Sequence, residues 1–441
     1  MTHLAPLTTV VQATRLVAMA ALFHIFRGLI LGFILGVTFP SPAPAAEIHV
    51  PVDYPTIQQA LDAASSGDVI LVAPDTYAGP LNNNLDFRGK AIELRSTGSP
   101  ALTIIHGQVG GRILRFHSGE TAAAIVDGFT ITQGLPNLFE NNSSPTIRNC
   151  IFSFHTLNAI RCDNSSPVIS HCTFVDNSYA SSTTGAGIRC INNSSLRVDS
   201  CFFARNNASA GEYGGGIYAE SSSLVVTECV FRDNGGEGGG GISSLFSELT
   251  ISDSDFQGNS SDNNGGGGIY CAISVATITD CRFYDNMQCG HGAGLATLSS
   301  EVTVTNCSFA ANGSCSQIHA GGLSGSMTLE NTIIAWGAGP AVSCDGGTVV
   351  TLRCCDVFGN QGGDWADCIA GQQGVEGNFA ADPQFCNLAD GNFTLNGGSP
   401  CLPGNHPQGE DCGLIGAFDQ GCGATAVEPT TWGAIKAGFG R

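Results

Sequence analysis

Lysine is almost missing from this chain. Only Lys90 and Lys436 occur in 441 residues, and 17 Lys+Arg face 37 Asp+Glu for a formal net charge of −20. Affinity for nucleic acid or anionic lipid comes from neutralising phosphate with Lys and Arg, so neither is an expected partner. Charge of either sign is scarce, at 12% of residues. With abundant Ile, Val and Phe, that scarcity excludes a disordered polyelectrolyte. The 59 glycines follow no period of three, which excludes a collagen-like fibre. Beyond residue 45 no apolar run is long enough to span a bilayer. Amphipathic helical spacing is confined to one short stretch, so an α-rich fold is excluded as well.

What the chain has instead is one phrase written repeatedly. "VISHCTFVDN", "LRVDSCFFARN", "LVVTECVFRDN", "LTISDSDFQGN", "ATITDCRFYDN" and "VTVTNCSFAAN" share an aromatic anchor at Phe174, Phe203, Phe231, Phe256, Phe283 and Phe309. The anchors are 29, 28, 25, 27 and 26 residues apart. "PTIRNCIF" extends the series back to Phe152, and "MTLENTII" and "TLRCCDVFGN" extend it forward to Ile334 and Val357. A second phrase precedes most copies: "GAGIRC", "GGGIYA", "GGGGIS", "GGGGIY", "GAGLAT" and "AGGLSG", with apolar residues Ile188, Ile217, Ile242, Ile269, Leu295 and Leu323.

Repeats of this length, built from short β-type phrases, stack as a solenoid in which each coil touches only its neighbours. Ile278 alternates with the residue two before it, whereas Cys281 and Phe283 alternate out of phase with Ile278. A bend between Ile278 and Cys281 keeps both halves facing inward. The expected fold is therefore all-β, a right-handed parallel β-helix of about ten coils. Its interior columns are Val/Ile (Ile169, Val198, Val226, Ile251, Ile278, Val304), Cys (Cys172, Cys201, Cys229, Ser254, Cys281, Cys307) and Phe.

The boundaries divide the chain into five parts. Residues 1–45 have the pattern of an export signal, with Arg15 and Arg27 before "GLILGFILGVTF" and an Ala43-Pro44-Ala45 cleavage site; a retained anchor is the alternative. Residues 46–126 hold an N-terminal cap and the first coils. The cap contains the one helical pattern, "VDYPTIQQALDAASSGD", which would cover the open strand edges of the first coil. Residues 127–360 are the repeats, and 361–423 a Cys-rich C-terminal cap. Residues 424–441 form a tail carrying Trp432. An exported chain is permitted disulfides, and its 19 cysteines leave at least one thiol unpaired within the chain. Cys368, Cys386, Cys401, Cys412 and Cys422 crowd together as bridge candidates. Cys289 and Cys315, six residues after successive Phe anchors, are a further pair.

Three constellations carry potential chemistry. Glu228, Asp253 and Asp280 stand just before the column cysteine on successive coils, where stacked carboxylates suit calcium. The same position reads Asn149, His171, Ser200, Asn306 and Asn331 elsewhere, which favours a corner needing left-handed backbone. The Asn177, Asn206, Asn234, Asn259, Asn286 and Asn312 column has the same explanation. Cys289 and Cys315 are read as a disulfide; the alternatives are free thiols or, with His291 and His319, a four-ligand zinc site. Tyr213, Tyr218, Tyr270 and Tyr284 are read as scattered surface tyrosines, with a sugar-stacking stripe as the alternative. No spacing identifies a catalytic residue, no organic cofactor is indicated, and no segment suggests an oligomer.

"IHVPVDYPTIQQALDAASSGDVILVAPDTYAG" resembles the capping strand and helix that open secreted pectin-lyase-like β-helix proteins. The paired GGGI and FxxN phrases resemble the repeats of polymorphic outer-membrane proteins. Together the resemblance covers roughly residues 47–420 and implies the fold, which hosts lyases, hydrolases, esterases and adhesins alike. The chain lacks the Asp-Asp pair and Arg-Ile-Lys phrase of polygalacturonase-type enzymes, and nothing after Gly359 supplies the strands of a membrane barrel. The expectation is a secreted or cell-surface protein presenting an elongated surface to glycan or a surface partner, without catalysis. A polysaccharide lyase or glycoside hydrolase is the alternative.

Overall fold

A computed structural model describes residues 44–108, 111–178, 185–208, 213–262, 265–288, 290–313 and 315–422. The export pattern up to residue 43, Cys289 and the Trp432 tail lie outside the described residues.

Three parallel sheets form the wall of the solenoid. The first has 13 strands, from Glu47–Val50 to Val349–Arg353. The second has 12, from Thr76–Ala78 to Asp356–Phe358, and the third 11, from Leu85–Asp86 to Val342–Cys344. Phe379 adds a last bridge to Asp356, which brings the solenoid to about 14 turns instead of ten. Apart from the rung at Phe379, the additional coils stand before Phe152, where Tyr77, Ile105 and Ile131 replace the anchor phenylalanine and hide the period.

The apolar columns stack in register. Ile169, Val198, Val226, Ile251, Ile278 and Val304 pair in sequence along the first sheet. In the second sheet the rings of Phe152, Phe174, Phe203, Phe231, Phe256, Phe283 and Phe309 lie within 6° of parallel, with centroids 4.3–4.9 Å apart. Strand spacing fixes that separation, so each ring faces its neighbour without any freedom to offset along the axis. In the third sheet Ile188, Ile217, Ile242, Ile269 and Leu295 are continued by Ile318 and not by Leu323, which is 92% exposed. The glycines before these residues make room for stacking. A Cβ on Gly241 would lie 2.6 Å from the Gly268 carbonyl oxygen and 2.9 Å from the Phe256 ring.

Each coil turns three corners, and each corner leaves one inward N–H that the parallel ladder cannot pair. In the repeat coils a side chain of the next coil accepts it. At the first corner Asn149, His171, Ser200, Glu228, Asp253, Asp280, Asn306 and Asn331 all have φ near +50°. The N–H that follows donates to the next column side chain: Cys172 to the Cys201 Sγ at 3.3 Å, and Cys229 to the Ser254 Oγ at 3.1 Å. The cysteine column is thus an acceptor position as well as filling, which is why serine fits it. At the third corner a serine column does the same work, for example Ser247 N–H to Ser274 Oγ and Ser274 N–H to Ser300 Oγ, both 3.1 Å.

The second corner corrects the reading of the asparagine column. The left-handed residues are Asp176, Arg205, Asp233, Gly258, Asp285 and Ala311, one before each Asn. The asparagines themselves point inward, with no exposure. The Asn234 Oδ1 accepts from the Asn206 N–H at 3.0 Å and its Nδ2 at 2.9 Å, while the Asn234 Nδ2 donates to the Phe203 carbonyl and the Asn259 Oδ1, both at 3.0 Å. His155 heads the column, its N–H donating to Asn177 at 3.1 Å. At the far end Gly337 stands where an Asn is needed. Gln317 fills the gap, accepting from Asn312 at 2.9 Å and donating to Asn360 Oδ1 at 2.6 Å. Asn360 then donates to the Asp364 carboxylate at 2.8 Å.

Both ends are covered. The helix Ile57–Ala63 buries Ile57, Gln58, Ala60 and Leu61, with Thr56 as N-cap. Lys90 Nζ closes its C-terminal end by donating to the carbonyls of Leu61, Asp62 and Ala64 at 2.8–3.0 Å. The C-terminal cap folds back over the second sheet. Arg282 reaches the Gly391 carbonyl, pairs with Asp255 at 2.7 Å and lies over the rings of Tyr284, Phe393 and Phe418. The disulfides are Cys344–Cys368, Cys354–Cys412 and Cys386–Cys422. Cys401 is a buried free thiol, 3.3 Å from Asp356, contrary to its place among the bridge candidates. Cys344 and Cys354, which belong to the coils, supply two of the missing partners.

Two outcomes test this arrangement. Asn234→Ala orphans the Asn206 N–H and interrupts the amide ladder and is expected to cost roughly 2 kcal/mol, whereas Cys229→Ser is expected to cost less than about 1 kcal/mol, both read from urea midpoints. Burial raises the Asp356 carboxyl from 3.8 to about 7, partly offset by the Ala381 N–H and Cys401. Its folded-state value exceeds its unfolded one, so the stability it contributes is complete below pH 3.8 and is lost as pH rises through about 7. Asp356→Asn should therefore gain on the parent between about pH 4 and 7, by up to about 1.4 kcal/mol per pH unit, and level off above about 7, in melts from pH 4 to 8.

Candidate functional site

The outward column of the third sheet gathers the polar chemistry. In register along it stand Arg161, Arg189, Tyr218, Ser243, Tyr270, Ala296, His319 and Ser343. Part of the second sheet's outer face is taken by the C-terminal cap, which buries Tyr284 against Phe393. Tyr284 thus leaves the tyrosine stripe, and the other three converge. Tyr213, from the loop before Ile217, lies 6.3 Å from the Tyr218 ring and 6.4 Å from the Tyr270 ring, centroid to centroid.

These tyrosines line a pocket of about 140 Å³ with Ser243, Leu245, Ile273 and Leu298. Burial pushes the Tyr270 hydroxyl up to about 12, and the Tyr218 hydroxyl rises for the same reason, helped by Glu220 at 3.2 Å. Both are neutral donors at physiological pH. The Arg189 Nε, three coils before Tyr270, is buried without a hydrogen-bond partner. At the rim Ile273 has φ +48° and is 51% exposed, beside Phe246 at φ +51° and 54%. Both stand at the third corner, where Ser221 and Ser299 adopt the same conformation, and a β-branched residue there is strained by about 1–3 kcal/mol.

A second pocket, of about 280 Å³, shares Tyr270 and Leu298 with the first and adds His291, Thr297, His319 and Asp345. The His291 and His319 rings are 4.3 Å apart. His319 Nε2 lies 3.6 Å from the Asp345 carboxylate, and its Nδ1 2.9 Å from the Ser343 Oγ. Ser343 is held in turn by the Ser316 Oγ at 2.7 Å. Burial, reinforced by His291 and opposed by Asp345 and Asp367, pushes the His319 imidazole down to about 4. It is neutral at physiological pH, so its contact with Asp345 is not a simple ion pair.

The sequence candidates separate accordingly. His291 and His319 are brought together, and Asp345 joins them; Cys315 is not among the converging donors. Asp345 carries no motif and escapes the sequence, because only the third-sheet register sets it beside His319. Glu228, Asp253 and Asp280 occupy left-handed corners. Ser200 donates to Glu228 at 3.3 Å, and burial raises the Asp280 carboxyl against the Asn306 hydrogen bond. Among the described residues the one cluster of three potential metal donors is His291, His319 and Asp345.

The family described as right handed beta helix region matches residues 138–263 and 252–380. No curated protein matches the sequence. Among solved structures, the mannuronan C-5 epimerase A-module of Azotobacter vinelandii is 13% identical with a TM-score of 0.37, over 74% of this chain and 94% of its own. A pectate lyase is 13% identical at 0.36, over 82% and 90%. The catalytic unit of an α-1,3-glucanase from Streptomyces thermodiastaticus is 12% identical at 0.37, over 77% and 69%. The likeness to polymorphic outer-membrane proteins rests on the repeat phrases alone.

Replacing Ile273 by Asn, which tolerates left-handed backbone, is expected to raise stability by about 1 kcal/mol. Differential scanning calorimetry of Ile273→Asn against the parent checks the gain.

Proposed function

The chain belongs to the right-handed β-helix family, and from that premise we propose that it is an extracellular glycan-binding protein whose ligand lies along the outer face of the third sheet. The observation that carries this reading is the convergence of Tyr213, Tyr218 and Tyr270 on one pocket that opens into a second along the same face. Tyrosine presents an apolar ring and a polar hydroxyl together, which suits a sugar's CH face and its hydroxyl edge. The strained, exposed Ile273 and Phe246 widen the same surface. Rungs about 4.8 Å apart repeat a polar site along the axis, a geometry fitted to a linear polymer and not to a compact ligand. Three disulfides support an extracellular setting, and no described helix is long and apolar enough to cross a membrane.

The His291–His319–Asp345 group favours a second reading, a polysaccharide lyase or glycoside hydrolase, because a convergent titratable cluster in a cleft is what proton transfer needs. Affinity electrophoresis and calorimetry against neutral and acidic linear polysaccharides separate the two. The binding reading expects saturable binding to at least one polymer, reduced on the order of tenfold by Tyr270→Ala, with no products. Reproducible cleavage products transfer the site to the second reading, and absence of binding across the panel removes both.

A further inference from the structure

We infer that His291, His319 and Asp345 form a binding site for a zinc-class divalent transition-metal ion. Their donor atoms, one from each residue, all lie within 4.8 Å of one another. Tetrahedral zinc with bonds of about 2.0–2.1 Å sets its donors about 3.4 Å apart. His319 Nε2 and Asp345 Oδ2 are already at 3.6 Å, so closing the site needs movements on the order of 1 Å. Two imidazoles and one carboxylate suit zinc and its neighbours better than calcium, which takes oxygen alone.

The surroundings are built to hold donors in place. Ser343 accepts from the His319 Nδ1–H in the metal-bound tautomer, directing Nε2 to the ion, and Ser316 fixes Ser343. Asp345 Oδ1 accepts the Gly322 N–H at 3.1 Å, which turns Oδ2 toward His319. The neighbouring Cys344 is tethered by its bridge to Cys368, and its N–H donates to Asp367 at 2.8 Å. Space is kept as well as donors. A Cβ on Gly321 would come within 2.7 Å of both His319 Nε2 and Asp345 Oδ1, so glycine leaves clear the volume a metal ion would enter.

Three protein donors among the described residues match the number found where a fourth position stays open to water or a ligand oxygen. That position lies in the pocket shared with Tyr270 and Leu298. The ion would thus stand at one end of the tyrosine surface.

Equilibrium dialysis of the full chain with zinc alone, after chelator treatment, tests the assignment without any polysaccharide, so its failure is distinct from failure of the glycan reading. Cobalt(II) substitution adds a visible spectrum reporting a four-coordinate nitrogen and oxygen site. The expected result is one equivalent bound, weakened on the order of 100-fold by His291→Ala, by Asp345→Asn and by Gly321→Ala, each checked for native circular dichroism. His291 and Asp345 are not buried core residues, so those variants keep the fold if the buried His319→Gln does not. Lack of stoichiometric zinc in the parent, or binding undiminished in the His291→Ala/Asp345→Asn double variant, would overturn the proposal.

Discussion

A single backbone N–H at each corner governs this molecule. A parallel ladder pairs every group of a straight strand, but a left-handed residue at the corner turns the following N–H inward, where no carbonyl waits for it. An unpaired buried amide costs about as much as a hydrogen bond is worth, and the cost recurs three times per coil. The solution is the same at all three corners: an acceptor side chain, one coil further on, at the same position. Cysteine or serine serves at the first, asparagine at the second and serine at the third. Because the acceptor always comes from the neighbour, the three polar columns bind coil to coil as the apolar columns do, and a coil without a successor is incomplete.

This logic also divides the surface. Inward positions are fixed by the columns, and the part of the second sheet's outer face around Tyr284, Ala310 and Ala335 is closed by the folded-back C-terminal segment anchored on Arg282. The outer face of the first sheet stays exposed, and the outer face of the third sheet with the loops that precede it gathers the polar chemistry. The tyrosines, the buried Arg189 Nε, the two histidines and Asp345 all stand there. Tyr213 and His291 occupy the same place in their coils, four residues before the inward Ile217 and Leu295. One loop position has thus been used for an aromatic in one coil and an imidazole in another.

How far the sequence could be read follows from the same division. The Phe and Val/Ile columns were legible because every coil repeats them, and the bend at the first corner because alternation changes phase there. Leu323 misled because "AGGLSG" mimics the second phrase, whereas the register passes through "SQIHA". The first coils were hidden by Ile and Tyr at the aromatic position. The asparagines were legible as a column, but their role was displaced by one residue, since nothing in "RDN" or "YDN" says which residue adopts the left-handed conformation. At the site, the histidines came into view through Cys289 and Cys315, which the period sets at matching positions, although His319 itself is a strand residue and His291 a loop residue. Asp345, Cys344 and Cys354 were not, because their partners lie on other coils and no local spacing encodes a stacking register.

The asparagine column has one more property. Every side-chain amide in it points the same way, N–H toward the C-terminal coil and oxygen toward the N-terminal one. Aligned amides sum as peptide dipoles do in a helix, with the positive pole at the donor end. Gln317 carries the alignment across the gap at Gly337, and at the last donor, Asn360, stands the carboxylate of Asp364. The column is therefore electrically polar along the solenoid axis, and it ends where an anion meets its positive pole.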